Sequence, residues 1–428
     1  MATVDTDREV DLRDPQRDLR FPATGRGLVV VSPTFHPEPL GTPLYSTDMV
    51  GWLDQAGWDV EVVTAQPFYP AFELYPGYGR RTRRDHVDGV PVHRLPTIVP
   101  RGGRVRWRLV SDANFLAQGV ARAGAGAVPR ATTVLSVSPG SPVAPLVGAA
   151  LTRRGGRHVC LVHDVQSGLA AGLGMVRSSR VTDLMRAVER RAIGAADLVL
   201  TLSEEMEGAL RRMGVRSPMM VLPLWSTVAA PDGFVGPTTD VQFSGNFGRK
   251  QGLEQLAALI VRLRRERPAT TFTVRGAGPL RDAFQAQLDG AGAGVTLEDP
   301  VDNAALPGAL AASRVHVVSQ LASTATHVVP SKIINALAVG GAVLAFSGSD
   351  SPVARMATQC DAIRVVPPGD TDAALAAVCD LLDQRDPRQL RASAIAYAAE
   401  HHDRERLLHR LHTALVDAPL AEAWQPLT

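Results

Sequence analysis

Short apolar runs rich in valine and leucine alternate along the chain with longer stretches in which apolar residues recur every three or four positions. The runs GLVVVS (27–32), DVEVVT (59–64), TTVLSV (132–137), HVCLVH (158–163) and DLVLTL (197–202) are too continuously apolar for a half-exposed sheet and predict parallel strands buried on both faces. PLYSTDMVGWLDQAG and SSRVTDLMRAVERRAIGAA, which lie between such runs, carry the helical period. At 226–239, STVAAPDGFVGPTT continues neither pattern and reads as a linker. The rhythm then restarts with strands at DVQFSG (240–245), TTFTVRG, RVHVVSQ, AVLAFS and AIRVVP, and helices at GLEQLAALIVRLRRER, PLRDAFQAQLDG and SKIINALAVG. The expected architecture is α/β, with two Rossmann-like doubly wound domains facing each other across a cleft. Ligands in such sheets sit at the carboxyl ends of the strands. The expected division is a leader at 1–24, a first domain at 25–225, the linker at 226–239, a second domain at 240–388, and C-terminal helices within 389–428 that pack back across the junction.

Composition adds limits to this picture. With 428 residues, 45% of them apolar and 21% charged, the chain can build two cores of ordinary size. A net charge of +2 argues against nucleic acid as the main partner, because phosphate-backbone binding needs a strongly basic surface, so anion recognition should be local. Cys160, Cys360 and Cys379 lie far apart without metal-ligand spacing and read as buried apolar residues in a reducing compartment. No apolar run reaches the roughly 18 residues of a membrane span, and the N-terminus lacks the apolar core of a signal peptide. These features lead to the expectation of a cytoplasmic protein with a poorly ordered leader.

Charge usage singles out two positions. Among 45 lysines and arginines only Lys250 and Lys332 are lysine, and both lie in strand-to-helix connections of the second domain. Lys250 sits in SGNFGRKQG, a glycine loop whose amides and following helix N-terminus can face an anion. Lys332 follows VVPS at a helix start, with Ser331 expected as the cap, and opposes the helix dipole there; it is either a solvated residue or a phosphate contact. GAGP (276–279) opens another helix and by itself is equally a structural turn. In the first half, the Pro/Gly loop SPTFHPEPLGTPLYS (32–46) and the pair His163–Asp164 stand at strand ends, where either a structural or a cleft-lining role fits. RRTRR (80–84) reads as a solvated loop, whereas RGGRVRWRL (101–109), with Trp107 among arginines, also suits peripheral contact with an anionic membrane. P-loop, H-E-x-x-H and G-x-S-x-G signatures are missing.

Taken in order, PTFHPEPLGTPLYSTDMVGWLDQAGWDVEVVTAQPFYP, LVHDVQSGLAAGLGM, TLSEEM, LPLWS, FSGNFGRKQGLEQL, VRGAGPLRDAF, VPSKIINALAVGG and VVPPGD resemble glycosyltransferase family 4, over about residues 28–384. Members are retaining enzymes of the GT-B fold, and the branch resembled builds cell-surface polysaccharides. The resemblance implies transfer of a sugar from a UDP- or GDP-sugar, the co-substrate, to a lipid-linked saccharide or to a small molecule such as a secondary-metabolite precursor. It implies no cofactor and no metal. It gives catalytic roles to His163, Lys250 and Lys332, and donor contacts to Gly245, Asn246, Gly276, Gly278, Pro279, His327, Ser331 and Asn335. Acceptor contacts would come from Gly41, His163 and Asp164. His327 and Asn335 stand where the family commonly carries two glutamates, and Asn246 where many relatives carry arginine. The alternative is a nucleotide-sugar-binding or scaffolding protein of the same fold that has lost catalysis.

Overall fold

The computed structural model describes residues 26–39, 41–100, 105–138, 143–165, 179–231, 236–248, 251–288, 292, 294–319, 331–384 and 386–416. Lys250, His327, the leader, Arg101 to Arg104 and part of the linker lie outside these residues.

Each apolar run of the first half forms a strand. The strands are β1 (Gly27–Val31), β2 (Asp59–Ala65), β3 (Arg83–Val87), β4 (Val90–Leu95), β5 (Ala131–Ser138), β6 (Thr152–Val162), β7 (Leu198–Thr201) and β8 (Met219–Val221). They make one sheet in the order β3-β4-β2-β1-β5-β6-β7-β8, parallel except for the β3–β4 pair. Its helices are α1 (Thr42–Gln55), α2 (Val105–Gly124), α3 (Ala144–Leu151), α4 (Ser179–Ile193) and α5 (Glu204–Met213). The second half places β9 (Thr239–Ser244), β10 (Phe272–Arg275), β11 (Val295–Glu298), β12 (Ser313–Ser319), β13 (Ala342–Phe346) and β14 (Ile363–Val366) in a wholly parallel sheet, β11-β10-β9-β12-β13-β14. Around it lie α6 (Leu253–Glu266), α7 (Arg281–Gln287), α8 (Leu306–Ala311), α9 (Ser331–Ala338), α10 (Pro352–Gln359) and α11 (Thr371–Leu382). Strand order reverses at β1 in the first sheet and at β9 in the second, so the loops after these two strands occupy the switch-point crevices.

Two C-terminal helices, α12 (Pro387–His401) and α13 (Arg404–Leu415), part company. Ala394, Tyr397 and Ala398 of α12 join the core of the second half, whereas Leu407, Leu408, Leu411 and Leu415 of α13 join that of the first. Asp48 on α1 accepts three hydrogen bonds from Arg404 (2.7–3.0 Å) and one from Trp225 Nε1 (2.7 Å), and Trp52 Nε1 donates to Glu405 (2.8 Å). A charge held by four charge-assisted or indole bonds fixes the angle at which the chain returns. Between the halves, Ile334 of α9 is buried in the first core, and Arg355 on α10 pairs with Glu204 and Glu205 on α5.

Three readings change in detail. Arg83 and Arg84 of RRTRR begin an edge strand, turned back by Asp88 and Gly89, both at positive φ. Ser331 is the first residue of α9, so it lies inside the first turn and not at the cap. Cys160 and Cys360 are buried, but Cys379 is only half-buried.

Candidate functional site

The glycine loop after β9 and the GAGP loop after β10 are joined backbone to backbone. Gly245 N donates to Arg275 O (2.9 Å), Phe247 N to Ala277 O (2.9 Å) and Leu280 N to Phe247 O (3.2 Å). Gly276 is buried, and a Cβ there would stand 1.8 Å from Gly245 O; at Gly278 it would stand 2.4 Å from Asn246 Oδ1 and 2.7 Å from Phe247 O. These glycines therefore serve first to let two loops touch, a reason beyond the ligand approach read from sequence. Pro279 follows as an exposed residue ahead of α7.

Lys332 enters this cradle from α9. Its Nζ donates to Gln251 Oε1 (2.6 Å) and lies 4.8 Å from the centre of the Phe243 ring. A Cβ on Gly245 would come within 1.9 Å of that ammonium, so the missing side chain at 245 makes its room. Burial lowers the Lys332 pKa to about 8. No carboxylate lies within ion-pair distance of it among the described residues. A cation with a neutral amide and a ring for company is arranged to receive an anion.

Across the cleft, His163 follows β6 and is buried. Its amide donates to Ser138 O (3.2 Å), and burial lowers the imidazole pKa to about 4, so the ring is neutral at ordinary pH. Tyr45 of α1 lies edge-on to both His163 (6.0 Å) and Trp225 (5.3 Å). Its buried hydroxyl turns to the Ser331 side chain without a hydrogen bond of normal geometry. Tyr45 thus links His163 to the start of α9, and the sequence reading overlooked it.

A second overlooked pair is Glu38 and Tyr69. Glu38, 4% exposed, accepts the amides of Phe68 (2.9 Å) and Tyr69 (2.8 Å) on Oε1, while its buried Oε2 has no partner. This clasps the loop after β2 to the loop after β1. Tyr69 then turns toward the Asn246 side chain of the opposite half without a hydrogen bond of normal geometry, with the charges of Arg108 and Asp164 acting on its phenol. Nothing in HPEP distinguishes this glutamate from a solvated loop acid, so the sequence alone carried no signal for it.

Burial raises the Glu38 pKa to about 7 despite those amides and the nearby Arg94; the Tyr69 and Tyr75 phenols also face it. A carboxyl whose folded-state value exceeds its unfolded one makes the fold lose stability as pH rises from about 4.5 to 7. Glu38→Gln keeps the acceptor oxygen without the charge. Its melting temperature relative to the parent is expected to rise between pH 5 and pH 8, corresponding to roughly 2–3 kcal/mol. A pH-independent gap between the two would show that Glu38 ionises normally.

The structure therefore gathers Gly245, Asn246, Gly276, Gly278 and Lys332 around one cradle, with His163 and Ser331 on either side of Tyr45. Gly41, at φ 73° before α1, is exposed and lies in open space. Asn335 points elsewhere: Ser226 Oγ and Thr227 N donate to its Oδ1 (3.3 and 3.2 Å), and its Nδ2 donates to Thr227 Oγ1 (3.0 Å), so it grips the start of the linker. Among the described residues no group of three or more His, Cys, Asp or Glu is placed to hold a metal, and no helix is long and apolar enough to cross a membrane.

Comparison with known proteins agrees with this layout. Residues 41–225 match the model of a glycosyl transferase 4-like domain, and 238–384 that of glycosyl transferases group 1. The chain is 28% identical over 332 residues to a protein of Escherichia coli (strain K12) named "Putative colanic acid biosynthesis glycosyl transferase WcaI", covering 73% of this chain and 81% of that one. Among solved structures, sucrose-phosphate synthase from Thermosynechococcus elongatus is similar in fold (TM-score 0.70, 18% identity, 91% of this chain and 98% of that one). So is HepE of Anabaena in complex with UDP (TM-score 0.64, 15% identity, 92% and 100%).

Proposed function

The chain is a glycosyltransferase of the GT-B fold, related to the 4-like and group 1 families, and from that premise we propose that it is a retaining, metal-independent enzyme building a saccharide on a lipid-linked acceptor. The observation that carries the donor side is the Lys332 ammonium, half-buried beside neutral partners in a cradle of touching glycine loops at the second switch point. Lys332, with Lys250 and the Ser331 hydroxyl, would neutralise the diphosphate as it departs, which is where charge develops in such a transfer. Gly276, Gly278 and Pro279 would approach the nucleotide base, and His327 the sugar.

His163, neutral and buried, can exchange one hydrogen bond with a sugar hydroxyl without adding charge, and so orients the donor sugar or the acceptor. Gly41 and Asp164 would complete the acceptor side. Asn335, engaged with the linker through both amide atoms, is assigned to setting the angle between the halves and not to the ribose. The E. coli relative's printed role in colanic acid biosynthesis supports glycan assembly over a small-molecule acceptor.

Thermal-shift measurements with UDP-, GDP- and dTDP-glucose test the donor side. One nucleotide is expected to stabilise the native state by about 2.7 kcal/mol at a hundredfold excess over its dissociation constant. No shift with any nucleotide would remove the donor assignment. Binding without transfer would favour the scaffolding alternative, in which the site is kept and catalysis lost.

A further inference from the structure

The loop after β2 is tied down around one residue, Tyr69. Its amide donates to Glu38 Oε1 (2.8 Å), its carbonyl accepts the Tyr75 hydroxyl (2.8 Å), and its ring stands at 90° to the Phe72 ring with centroids 6.0 Å apart. Phe72 itself takes φ 59°, a left-handed conformation that a bulky side chain disfavours, and the Arg108 guanidinium lies 5.9 Å from its ring. Strain of this kind persists only where surrounding contacts impose it, and it gathers in segments that aim a functional group. With amide, carbonyl and ring all held, Tyr69 presents its hydroxyl to Asn246 of the other half, while Arg108 and Asp164 bear on the phenol by charge.

Asn246 has an unmet acceptor on that side. Its Oδ1 is buried and has no hydrogen-bond partner. The oxygen is turned into the GAGP loop, where a Cβ on Gly278 would stand 2.4 Å from it, so Gly278 gives it room but no side-chain donor. The Tyr69 phenol can supply the missing donor, because burial raises its pKa and the proton is kept at ordinary pH. Tyr69 and Asn246 face each other short of normal hydrogen-bond geometry, and approach of the two halves would complete the bond.

Which end of the amide is held matters for an anion. The oxygen of an asparagine repels a phosphate and its NH2 attracts one, and a half-turn of the side chain exchanges them. Asn246 directly follows Gly245, whose missing side chain makes room for the Lys332 ammonium, so the amide borders the same anion-receiving space. We propose that Tyr69 is a positioning residue of the donor cradle, its hydroxyl holding Asn246 Oδ1 so that the Asn246 NH2 faces the donor's diphosphate. This role rests on the transferase reading above and gives the first half a part in donor binding. Tyr69 acts through Asn246 and touches no donor atom, and Glu38 sets the reach of the phenol by holding the Tyr69 amide.

The test is calorimetric titration with UDP, GDP and dTDP of the parent, Tyr69→Phe, Asn246→Ala and the double variant. Tyr69→Phe removes one oxygen and keeps the ring against Phe72, so its circular dichroism should match the parent's. Tyr69→Phe is expected to weaken binding of the preferred nucleotide by about three- to tenfold, and Asn246→Ala at least as much. In the double variant the tyrosine change should cost nothing further, since the amide it holds is already gone. A merely structural tyrosine would lower stability in both backgrounds without this coupling in affinity. Parent-like affinity in Tyr69→Phe would overturn the proposal. Losses that add in the double variant would also overturn it, because the hydroxyl would then act on the nucleotide or on another partner. A parent that binds none of the three nucleotides would remove the donor reading and this role with it, whereas a binding parent with uncoupled variants removes the role alone.

Discussion

Lys332→Ala is expected to lower affinity for a nucleoside diphosphate by about ten- to a hundredfold while making the unliganded protein more stable. The first effect follows from removing a charge-assisted contact, worth about 1.5–3 kcal/mol. The second follows from the cost of burying an ammonium whose described partners are the Gln251 amide and the Phe243 ring. Its folded-state pKa of about 8 lies below the ordinary lysine value of 10.5, so the native state holds fewer protons than the unfolded state between those values. Stability consequently rises with pH across that window, and below pH 8 the parent carries the full burial cost, roughly 1–3 kcal/mol. Lys332→Ala removes this dependence. Nucleotide affinity of the parent should fall as pH rises through 8, because the ammonium is then lost, and the variant's affinity should not follow it. Calorimetric titration with UDP and GDP at pH 7 and pH 9, beside denaturant melts of both proteins, reads all of this. An alanine variant that binds like the parent, or is less stable without ligand, would make Lys332 an ordinary structural residue.

The same residue shows what the sequence could and could not disclose. Two lysines among 45 cations drew attention to position 332, but nothing in PSKIIN tells that Gln251 would be its partner 81 residues away, or that Gly245 would leave space for it. Parallel strands were legible because burial on both faces leaves continuous runs such as GLVVVS and AVLAF. The β3–β4 hairpin was not, because RRDHV at the sheet edge carries few apolar residues, although Asp88–Gly89 was an available turn signal. Helix α2 escaped because the arginine tract at its start drew the reading and its apolar stripe faces outward, so the ordinary equation of apolar with buried gives the wrong face. Tyr45 and Tyr69 matter through the approach of the two halves, and Glu38 through a clasp on amides 30 and 31 residues away; sequence spacing carries no information about either. Asn335 is a further case: its bonds to Ser226 and Thr227 at the start of the linker join positions 109 and 108 apart, which its place in the motif does not reveal.

Gly276→Ala should have the larger effect on the donor cradle as a whole. The new Cβ would lie 1.8 Å from Gly245 O and 2.9 Å from Gly245 C, and both are backbone atoms that cannot swing aside. Relief requires the two loops to separate. That would break some of the bonds joining them, from Gly245 N to Arg275 O, from Phe247 N to Ala277 O and from Leu280 N to Phe247 O. A loss of about 2–4 kcal/mol in stability is expected, as for overpacking combined with an unfavourable backbone conformation. UDP or GDP affinity should fall at least a hundredfold, because Asn246, Gly245 and the space holding the Lys332 ammonium all move together. Gly126→Ala is the matched control. It also substitutes a glycine at positive φ, but in open space just past the end of α2, so its cost should stay near about 1 kcal/mol and its nucleotide affinity near that of the parent. Denaturant melts and nucleotide titration on the two variants separate backbone strain from loss of the site. Parent-like nucleotide affinity in a folded Gly276→Ala protein would mean that the touching glycine loops do not form the donor cradle, and the site would have to be sought elsewhere in the cleft.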